Sequence, residues 1–174
     1  MTQSPKTTIC FAKVSDTPIG DLWVACSERG LVALEWGNRQ AEFLTYLTKR
    51  LKLHAEENPD RLSITDSQIR EYLAGERRQF TIKIDWSLMR PFQREALLAT
   101  FTIPYGQTST YGNLAAQIGR PYAARAIGRA EATNPMPLVI PCHRVLGAAG
   151  KLRGYGGGLE IKKWLLQLEG AVLA

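Results

Sequence analysis

The spacing of apolar residues changes near residues 87–91 and divides the chain into two parts with different secondary structure. Before this point, three short β-prone runs are separated by turn sequences, a spacing typical of a hairpin meander. These runs are Thr8–Val14, Leu22–Ser27 and Leu31–Trp36. After it, apolar residues recur mainly at helical spacing. We therefore predict an α+β protein with a small sheet domain over 1–86 and a mainly helical domain over 87–174.

Three further patterns complete the predicted N-terminal domain. The segment 41–53 has apolar residues at helical spacing and should pack on the sheet. Residues 65–68, Thr-Asp-Ser-Gln, have the form of a capping box that starts a helix, and Gly75 is suited to end it. Alternating apolar and polar residues then predict one more strand. Its apolar positions are Phe80, Ile82 and Ile84.

The C-terminal half begins with a helical stripe that Pro104 ends. The apolar positions of this stripe are Phe92, Ala96, Ala99 and Ile103. Two short helical patterns follow, one on each side of a break at 119–121, Gly-Arg-Pro. Their apolar positions are Tyr111, Leu114, Ala115 and Ile118, then Ala123, Ile127 and Ala130. Two helices across such a break indicate a helix-turn-helix, and an ordinary packed helical hairpin is the alternative.

The second of these helices is narrow because most of its side chains are small. The small residues are Ala123, Ala124, Ala126, Gly128, Ala130 and Ala132. A narrow helix can approach a narrow groove of DNA, and a long cation such as Arg125 can enter the space left by an extruded base. Close helix packing is the alternative explanation. Glu131 is unfavourable near phosphates unless it faces away or pairs with Arg129.

The net charge of +6 lies entirely in the C-terminal half. Residues 1–86 carry twelve Lys and Arg against twelve Asp and Glu, whereas residues 87–174 carry ten against four. A basic half beside a neutral half suggests a polyanionic partner for the basic half only, through release of counterions at phosphates. A solvated basic surface that serves solubility is the alternative.

One cysteine lies among residues with acid–base chemistry. The three cysteines are Cys10, Cys26 and Cys142, an odd number that predicts at least one free thiol. A buried strand over 138–140 should present Cys142, and His143 could accept the thiol proton. Glu169 could orient the imidazole, because it follows an apolar helix stripe. That stripe is Ile161, Trp164, Leu165 and Leu168. A purely structural Cys-His pair is the alternative.

Six motifs of the C-terminal half closely resemble the O6-alkylguanine-DNA alkyltransferase family, also called methylated-DNA–protein cysteine methyltransferases. They are Tyr-Gly at 111–112, Ala-Ala-Arg-Ala-Ile-Gly at 123–128, Asn-Pro at 134–135, Pro-Cys-His-Arg-Val at 141–145, Gly-Tyr-x-Gly-Gly at 154–158 and Trp-Leu-Leu-x-x-Glu-Gly at 164–170. The N-terminal half looks like the family's ribonuclease-H-like domain. The resemblance covers about residues 91–170 and implies DNA repair.

The resemblance assigns the catalytic roles. Cys142 would accept an alkyl group from O6-alkylguanine, and also from O4-alkylthymine. His143 would act as base through a bridging water, with Glu169 orienting it. Tyr111 would give a proton to guanine N3, and Asn134 would be the hinge between the recognition helix and the cysteine. Because a thioether is a poor leaving group and no second nucleophile is evident, each molecule should react once.

The resemblance also implies binding residues. Arg125 would replace the flipped nucleotide, and a helix-turn-helix would enter the minor groove. Other DNA-binding positions are Thr110, Ala123, Ala124, Ala126, Gly128 and Arg129. The substrate-binding positions are Pro137, Val145, Tyr155, Gly156 and Gly157, with backbone amides near Tyr155 and Gly156 bonding O6. Many relatives carry serine at the position of Gly156, so a wider pocket is a hypothesis.

We expect no cofactor and no metal, because Cys10, Cys26 and His54 are too few ligands for a closed zinc site. The absence of a leader pattern and of long apolar stretches predicts a cytoplasmic protein that binds no membrane. We expect double-stranded DNA carrying O6-alkylguanine as the partner of a monomer that can cluster along DNA. Three rival functions are a non-catalytic damage-binding protein, a helix-turn-helix regulator and a cysteine hydrolase.

Overall fold

The computed structural model describes residues 8–171, and the chain divides into two compact units between Leu88 and Met89. The first unit contains a four-stranded sheet with helices, and the second is mainly helical. The predicted α+β class is therefore confirmed. Within residues 8–171, no helix combines the length and apolar character needed to span a membrane.

The sheet of the first unit has the strand order β3-β2-β1-β4. Its strands are β1 (Thr8–Val14), β2 (Leu22–Ser27), β3 (Gly30–Trp36) and β4 (His54–Glu57). The first three are antiparallel neighbours that match the predicted meander, and β4 pairs with β1 in parallel. Cys10 and Cys26 are directly opposite each other in the β1–β2 register, and both are free thiols.

Sequence periodicity misplaced one strand of this unit. The predicted strand through Phe80 and Ile82 does not form, and only Ile84 makes a bridge, to Leu31. The close approach of Lys83 to Gly30 explains why glycine stands there, since a Cβ on Gly30 would lie 2.3 Å from the carbonyl oxygen of Lys83. The strand that does form, β4, has an exposed, polar sequence typical of an edge strand and gives no apolar alternation.

A helical segment packs on the sheet as predicted for residues 41–53. Helix α1 (Gln40–Thr45) continues into a π-helical turn, Tyr46–Arg50, and together they bury Phe43 and Leu47 against sheet residues. Helix α2 (Ser63–Leu73) begins before the predicted capping box, so Thr65 is a buried residue within the helix and caps nothing. The predicted end of α2 is correct, because Gly75 follows it with a φ of 78°.

The helices of the second unit surround a small apolar core. They are α3 (Pro91–Phe101), α4 (Tyr111–Gln117), α5 (Ala124–Ala132) and α6 (Leu159–Leu168), and two short strands, β5 (Ser109–Thr110) and β6 (Val145–Leu146), pair in parallel. Three helices contribute to the core, at Ala96 and Ala99 of α3, Leu114 of α4 and Ile127 of α5. The predicted helix-turn-helix pair, α4 and α5, is separated by residues 118–123, a longer connection than the predicted break.

The segment before the cysteine is buried but is not a strand. Leu138, Val139 and Ile140 are at most 2% exposed, as expected for an apolar run. The backbone turns instead, because Leu138 has a φ of 77° and the Ile140 amide donates to the Met136 carbonyl at 2.9 Å. The predicted strand over 138–140 is therefore wrong, although its burial is correct.

Candidate active site

Cys142 lies at the start of a 3-10 turn, Cys142–Arg144, directly after the buried turn. Asn134 fixes the approach to this turn from the end of α5. Its Nδ2 donates to the Ile140 carbonyl at 3.0 Å, and its Oδ1 accepts from the Met136 amide at 3.0 Å. The side chain thus ties both ends of the segment that delivers Cys142, which suits the hinge position expected for Asn134.

A cavity of about 410 Å³ opens beside Cys142. Helix α5, the first residue of α4, the cysteine turn and the glycine-rich loop form its wall. The lining residues are Tyr111, Gly128, Glu131, Ala132, Cys142, Gly154, Tyr155 and Gly156. This volume is within the range of about 300–1,000 Å³ that is common for small-molecule sites. Cys142 is 8% exposed, so a reacting group reaches it only by entering the cavity.

Three of the expected substrate-binding residues do not line this cavity. Val145 is fully buried in the apolar core of the second unit. Pro137 is buried and makes a backbone bridge to Ile140, and Gly157 follows the lining residue Gly156 without joining the wall.

His143 and Glu169 form a buried pair behind Cys142. The imidazole Nε2 lies 2.7 Å from Glu169 Oε1, and both side chains are fully buried. Because Nε2 faces the carboxylate, a proton taken from Cys142 would go to Nδ1. Burial lowers the pKa of His143 more than Glu169 raises it, so the imidazole is neutral and can act as a base.

Arg144 is a second partner of Glu169, and sequence reasoning assigned it no role. Its Nε and Nη2 each donate to the carboxylate at 2.9 Å, and its Nη1 donates to the Ile103 carbonyl at 2.6 Å. Burial alone would raise the pKa of Glu169, but hydrogen bonds from His143 and Arg144 outweigh it and lower the pKa to about 2. One feature of the sequence could have indicated this role, because Arg144 is a basic residue in a run whose other residues are buried.

The thiol of Cys142 is neutral in the resting protein. Burial, and then the nearby Glu131 carboxyl, raise the pKa of Cys142 to about 12. Burial disfavours the charged form of the thiol, so the neighbouring groups do not produce a large thiolate fraction in the resting state. Because the thiol and the imidazole are both neutral in the resting protein, the proton must leave Cys142 as the sulfur attacks.

Lys162 is a buried cation near the thiol that sequence reasoning missed. It is 0% exposed, and its Nζ donates to the Val145 carbonyl at 2.7 Å and the Arg153 carbonyl at 3.1 Å. Its charge lowers the pKa of Cys142, opposing burial. We predicted that Trp164 belongs to the buried stripe of α6, and we did not include Lys162. In the structure Lys162 is buried, and Trp164 is only half-buried. Lys162 and Glu169 are seven positions apart, which places them on one face of a helix.

Tyr111 begins α4 on the cavity wall. Thr110 caps this helix through its hydroxyl, which accepts from the Asn113 amide at 3.1 Å, so its observed contact is structural. The Tyr111 ring lies against Gly128 of α5, where an added Cβ would be 3.9 Å from the ring. Burial, then Glu131 and Cys142, raise the pKa of Tyr111 and keep its hydroxyl protonated.

Glu131 faces the cavity and not the solvent. It is 8% exposed, and its Oε1 accepts a hydrogen bond from the Thr100 hydroxyl at 2.5 Å. The other oxygen, Oε2, is buried and has no hydrogen-bond partner among the described residues. Burial raises the pKa of Glu131 to about 7. The concern that this carboxylate would repel phosphates therefore disappears, because it points inward.

The outer face of α5 is basic and uncrowded. Arg125 and Arg129 are exposed there, while Ile127 and Ala130 face the core. The small residues expected to approach DNA are only partly buried; they are Ala123, Ala124, Ala126 and Gly128. Tyr122, just before the helix, is 100% exposed, and sequence reasoning did not single it out. The cationic side chains of α5 thus lie on the face that is turned away from the apolar core.

Both units match models of one protein family. Residues 10–86 match the family described as 6-O-methylguanine DNA methyltransferase, ribonuclease-like domain. Residues 91–171 match the description 6-O-methylguanine DNA methyltransferase, DNA binding domain. The two matches together cover most of the chain.

Individual relatives agree with these matches. The chain is 42% identical to a methylated-DNA–protein-cysteine methyltransferase of Shigella flexneri over 164 residues, which cover 90% of this chain and 94% of the relative. It is 45% identical to a protein of the same name from Mycolicibacterium paratuberculosis over 88% of each chain. Among solved structures, it is similar to Mycobacterium tuberculosis OGT in complex with DNA, with a TM-score of 0.77, 39% identity and coverage of 94% and 92% of the two chains.

Proposed function

The chain belongs to the methylated-DNA–protein-cysteine methyltransferase family, and on that premise we propose that it repairs double-stranded DNA by moving the alkyl group of O6-alkylguanine to its own Cys142. O4-alkylthymine is a second substrate of the same reaction. One observation carries this proposal: the only cysteine of the second unit is on the wall of a cavity of about 410 Å³ and is followed directly by a histidine paired with a buried carboxylate. Neither a cofactor nor a metal takes part.

The proposed reaction is a displacement at carbon. The Cys142 sulfur forms a bond to the alkyl carbon as the bond from that carbon to guanine O6 breaks. The thiol proton passes to Nδ1 of His143 through a bridging water, and the Glu169 carboxylate holds the resulting imidazolium at Nε2. The electron pair of the broken bond stays on guanine, and Tyr111 neutralises it by giving a proton to N3. Amides near Tyr155 and Gly156 hydrogen-bond O6.

The proposed site is used once. The product is a thioether at Cys142, whose sulfur is a poor leaving group. The other cysteines, Cys10 and Cys26, are in the sheet of the first unit, and the second unit contains no further cysteine to remove the alkyl group. Each molecule would therefore repair one base and then stay alkylated.

The proposed DNA contact is made by α4 and α5 in the minor groove. Because Cys142 is recessed in a cavity, an alkylated base must leave the helical stack to reach it. Arg125 would fill the space in the stack, and Arg129 would contact a phosphate. The small residues of α5 would allow close approach without reading sequence. The chain would act as a monomer that can cluster along DNA.

The test of this proposal is transfer of label from DNA to protein. A duplex with a radiolabelled methyl group on guanine O6 should label the protein at a ratio of at most one to one, and Cys142→Ser should abolish labelling. Cys26→Ser is the matched control and should react like the unmodified chain. Binding without labelling would indicate a damage-binding protein or a regulator, and repeated turnover would indicate a hydrolase; any of these results would contradict the proposal.

A further inference from the structure

Two thiols of the first unit face each other between the central strands of its sheet. Cys10 of β1 and Cys26 of β2 are direct partners in the antiparallel register, and both are free. Side chains of directly opposite residues project to the same face of a sheet and contact each other. The proposed function uses neither thiol, so this pair is open to a chemical role of its own.

The spacing of antiparallel strands suits a covalent bond between these two residues. Directly opposite residues have Cα atoms about 4.5 or 5.5 Å apart, depending on the hydrogen-bonding pattern. A disulfide needs Cα atoms about 4.4–6.8 Å apart, so either pattern meets the requirement. Burial, and then the neighbouring Cys10, raise the pKa of Cys26, so the two thiols are close enough for one to act on the other electrostatically.

The two thiols differ in their access to solvent. Cys26 is half-buried, whereas Cys10 is only 5% exposed. A dissolved oxidant should therefore meet Cys26 first, with Cys10 held beside it as a second thiol. Burial raises the pKa of both thiols, and the positive charge of Arg61, in the turn Asp60–Leu62, opposes this effect. Arg61 thus favours the thiolate, which is the form that reacts.

The Cys10 thiol has an acceptor for its proton. Its Sγ donates to Oε1 of Glu56, the exposed residue opposite it on β4, at 3.9 Å. A carboxylate at this position can receive the proton when the Cys10 sulfur forms a new bond. Within residues 8–171, no group of three or more His, Cys, Asp or Glu side chains is arranged to hold a metal ion. The chemistry that these residues offer is therefore that of two thiols.

We propose that Cys10 and Cys26 are a two-electron redox site that reacts with hydroperoxides and closes as a disulfide between β1 and β2. The Cys26 sulfur attacks a peroxide oxygen, so that an S–O bond forms and the O–O bond breaks. The Cys26 proton goes to the leaving oxygen and gives an alcohol or water, and Cys26 becomes a sulfenic acid.

The second step forms the disulfide. The Cys10 sulfur attacks the Cys26 sulfur, an S–S bond forms, and the S–O bond breaks. The released hydroxide takes up the Cys10 proton by way of Glu56 and becomes water. The two thiols are thereby oxidised by two electrons, and one hydroperoxide is reduced to an alcohol and water. The product is a covalent link between the two central strands of the sheet.

Cys142 should not compete for the oxidant. It is 8% exposed, and burial, followed by the nearby Glu131 carboxyl, raises its pKa to about 12. A protonated, recessed thiol reacts slowly with peroxides. The chain has no other cysteine after residue 26 that could pair with Cys142. Oxidation of the first unit should therefore leave the thiol of the proposed alkyl transfer unreacted.

The test is treatment of the reduced chain with hydrogen peroxide, followed by intact mass and peptide mapping without reductant. We expect a loss of two hydrogen atoms, a disulfide that joins Cys10 to Cys26, a Cys142 thiol that still reacts with iodoacetamide after denaturation, and reversal by dithiothreitol. Cys142→Ser is the matched control and should form the same disulfide. A free Cys10–Cys26 pair after Cys142 has been oxidised, or a disulfide between two chains, would overturn the inference.

Single variants assign the order of the two steps. Cys10→Ser should add oxygen at Cys26 and form no disulfide within the chain, because the second thiol is missing. Cys26→Ser should be oxidised at Cys10 more slowly, because Cys10 is buried. Arg61→Gln should slow the first step, and Arg50→Gln, at another exposed arginine of the first unit, is its control. Faster oxidation of Cys10 in Cys26→Ser than of Cys26 in Cys10→Ser would contradict the first attack by Cys26.

Thermal unfolding tests whether the site is preformed. A disulfide closes a loop in the unfolded chain and reduces its conformational entropy. The oxidised chain should therefore have a higher Tm than the reduced chain, and peroxide should give no such increase in Cys10→Ser or Cys26→Ser. A fall in Tm on oxidation would show that the bond distorts the sheet and would contradict a preformed pair. The mass measurement on the unmodified chain decides the inference even if a variant does not fold.

Discussion

Glu169 makes the largest number of buried hydrogen bonds among the side chains described at the site. Its carboxylate accepts from His143, from two nitrogens of Arg144 and from the Gly106 amide at 3.1 Å. Removing one partner of a buried ion pair costs about 3–5 kcal/mol, because the remaining charge is left uncompensated. Glu169 therefore supports both the fold of the second unit and the proposed base.

Glu169→Gln should destabilise the chain by about 3–5 kcal/mol in urea unfolding at pH 7, because Arg144 loses its counter-ion. The pKa of Glu169 is lowered to about 2, so its stabilising effect is present above the ordinary value near 4.5 and is lost as pH falls toward 2. The unmodified chain should therefore lose stability over this acid range more steeply than Glu169→Gln. Parallel stability curves for the two proteins would contradict the assigned ion pair.

Glu131 should have the opposite pH dependence. Its pKa is raised to about 7, so the folded state favours the protonated form, and the contribution to stability is lost as pH rises from about 4.5 through 7. Glu131→Gln cannot ionise and should gain in Tm over the unmodified chain more at pH 8 than at pH 5. A gain of the same size at both pH values would show that Glu131 is not buried as an acid.

Sequence reasoning at the residue scale worked where a pattern reports burial. Helical spacing after Leu165 predicted that Glu169 lies next to the buried face of the helix. In the structure the Glu169 carboxylate contacts His143. It missed Lys162, because charged residues are ordinarily assigned to the solvent face, and for Glu131 it left open whether the side chain faces away from DNA. Their burial depends on partners from other elements, the carbonyl of Val145 and the hydroxyl of Thr100, which one sequence does not place.

At the element scale, α5 separates two tasks between its faces. The inner face packs on the apolar core through Ile127 and lines the cavity through Glu131, while the outer face presents Arg125 and Arg129. Substitutions on the outer face should therefore change DNA binding without changing the chemistry of the cavity.

Arg129→Ala should reduce the slope of log affinity against log salt by about one, because one phosphate contact is lost.

Arg125→Ala should slow transfer from duplex DNA but not from free O6-benzylguanine, which needs no base extrusion. Arg50→Ala, an exposed arginine in the first unit, is the matched control for both measurements. An unchanged slope for Arg129→Ala, or equal slowing of both substrates by Arg125→Ala, would contradict these roles.

The glycine-rich loop offers a test of substrate size. Gly156 lines the cavity and is exposed, so a serine side chain there would occupy space that a larger alkyl group needs. We expect Gly156→Ser to lower the rate of benzyl transfer more than that of methyl transfer from otherwise identical duplexes. Gly154→Ser, two positions earlier on the same wall, is the comparison variant. A constant ratio of benzyl to methyl transfer would count against a wider pocket.

Element prediction succeeded for segments with regular apolar spacing and failed for the others. The strands β1 to β3 and the helices α3 to α6 formed where the pattern placed them. Strand β4 is polar and at the sheet edge, so its apolar signal is absent. The apolar run 138–140 correctly predicted burial but not backbone conformation. Leu138 has a left-handed backbone conformation, so the segment forms a turn and not a strand.

At the scale of the whole molecule, charge and chemistry are in the same unit. The excess of positive charge, the cavity and Cys142 all belong to the part of the chain after residue 88. The first unit is electrically balanced over 1–86, and none of its described residues, 8–88, lines the cavity. Long-range attraction of DNA should therefore act on the unit that carries the reacting thiol.

The central claim is that one sulfur accepts one alkyl group and keeps it. The most direct measurement is the intact mass of the protein after incubation with excess duplex containing O6-methylguanine, followed by peptide mapping. We predict a complete shift by a single methyl group in place of hydrogen, located on Cys142, with no second addition. An unchanged mass accompanied by loss of methyl from the DNA, or a methyl group on any other residue, would contradict it.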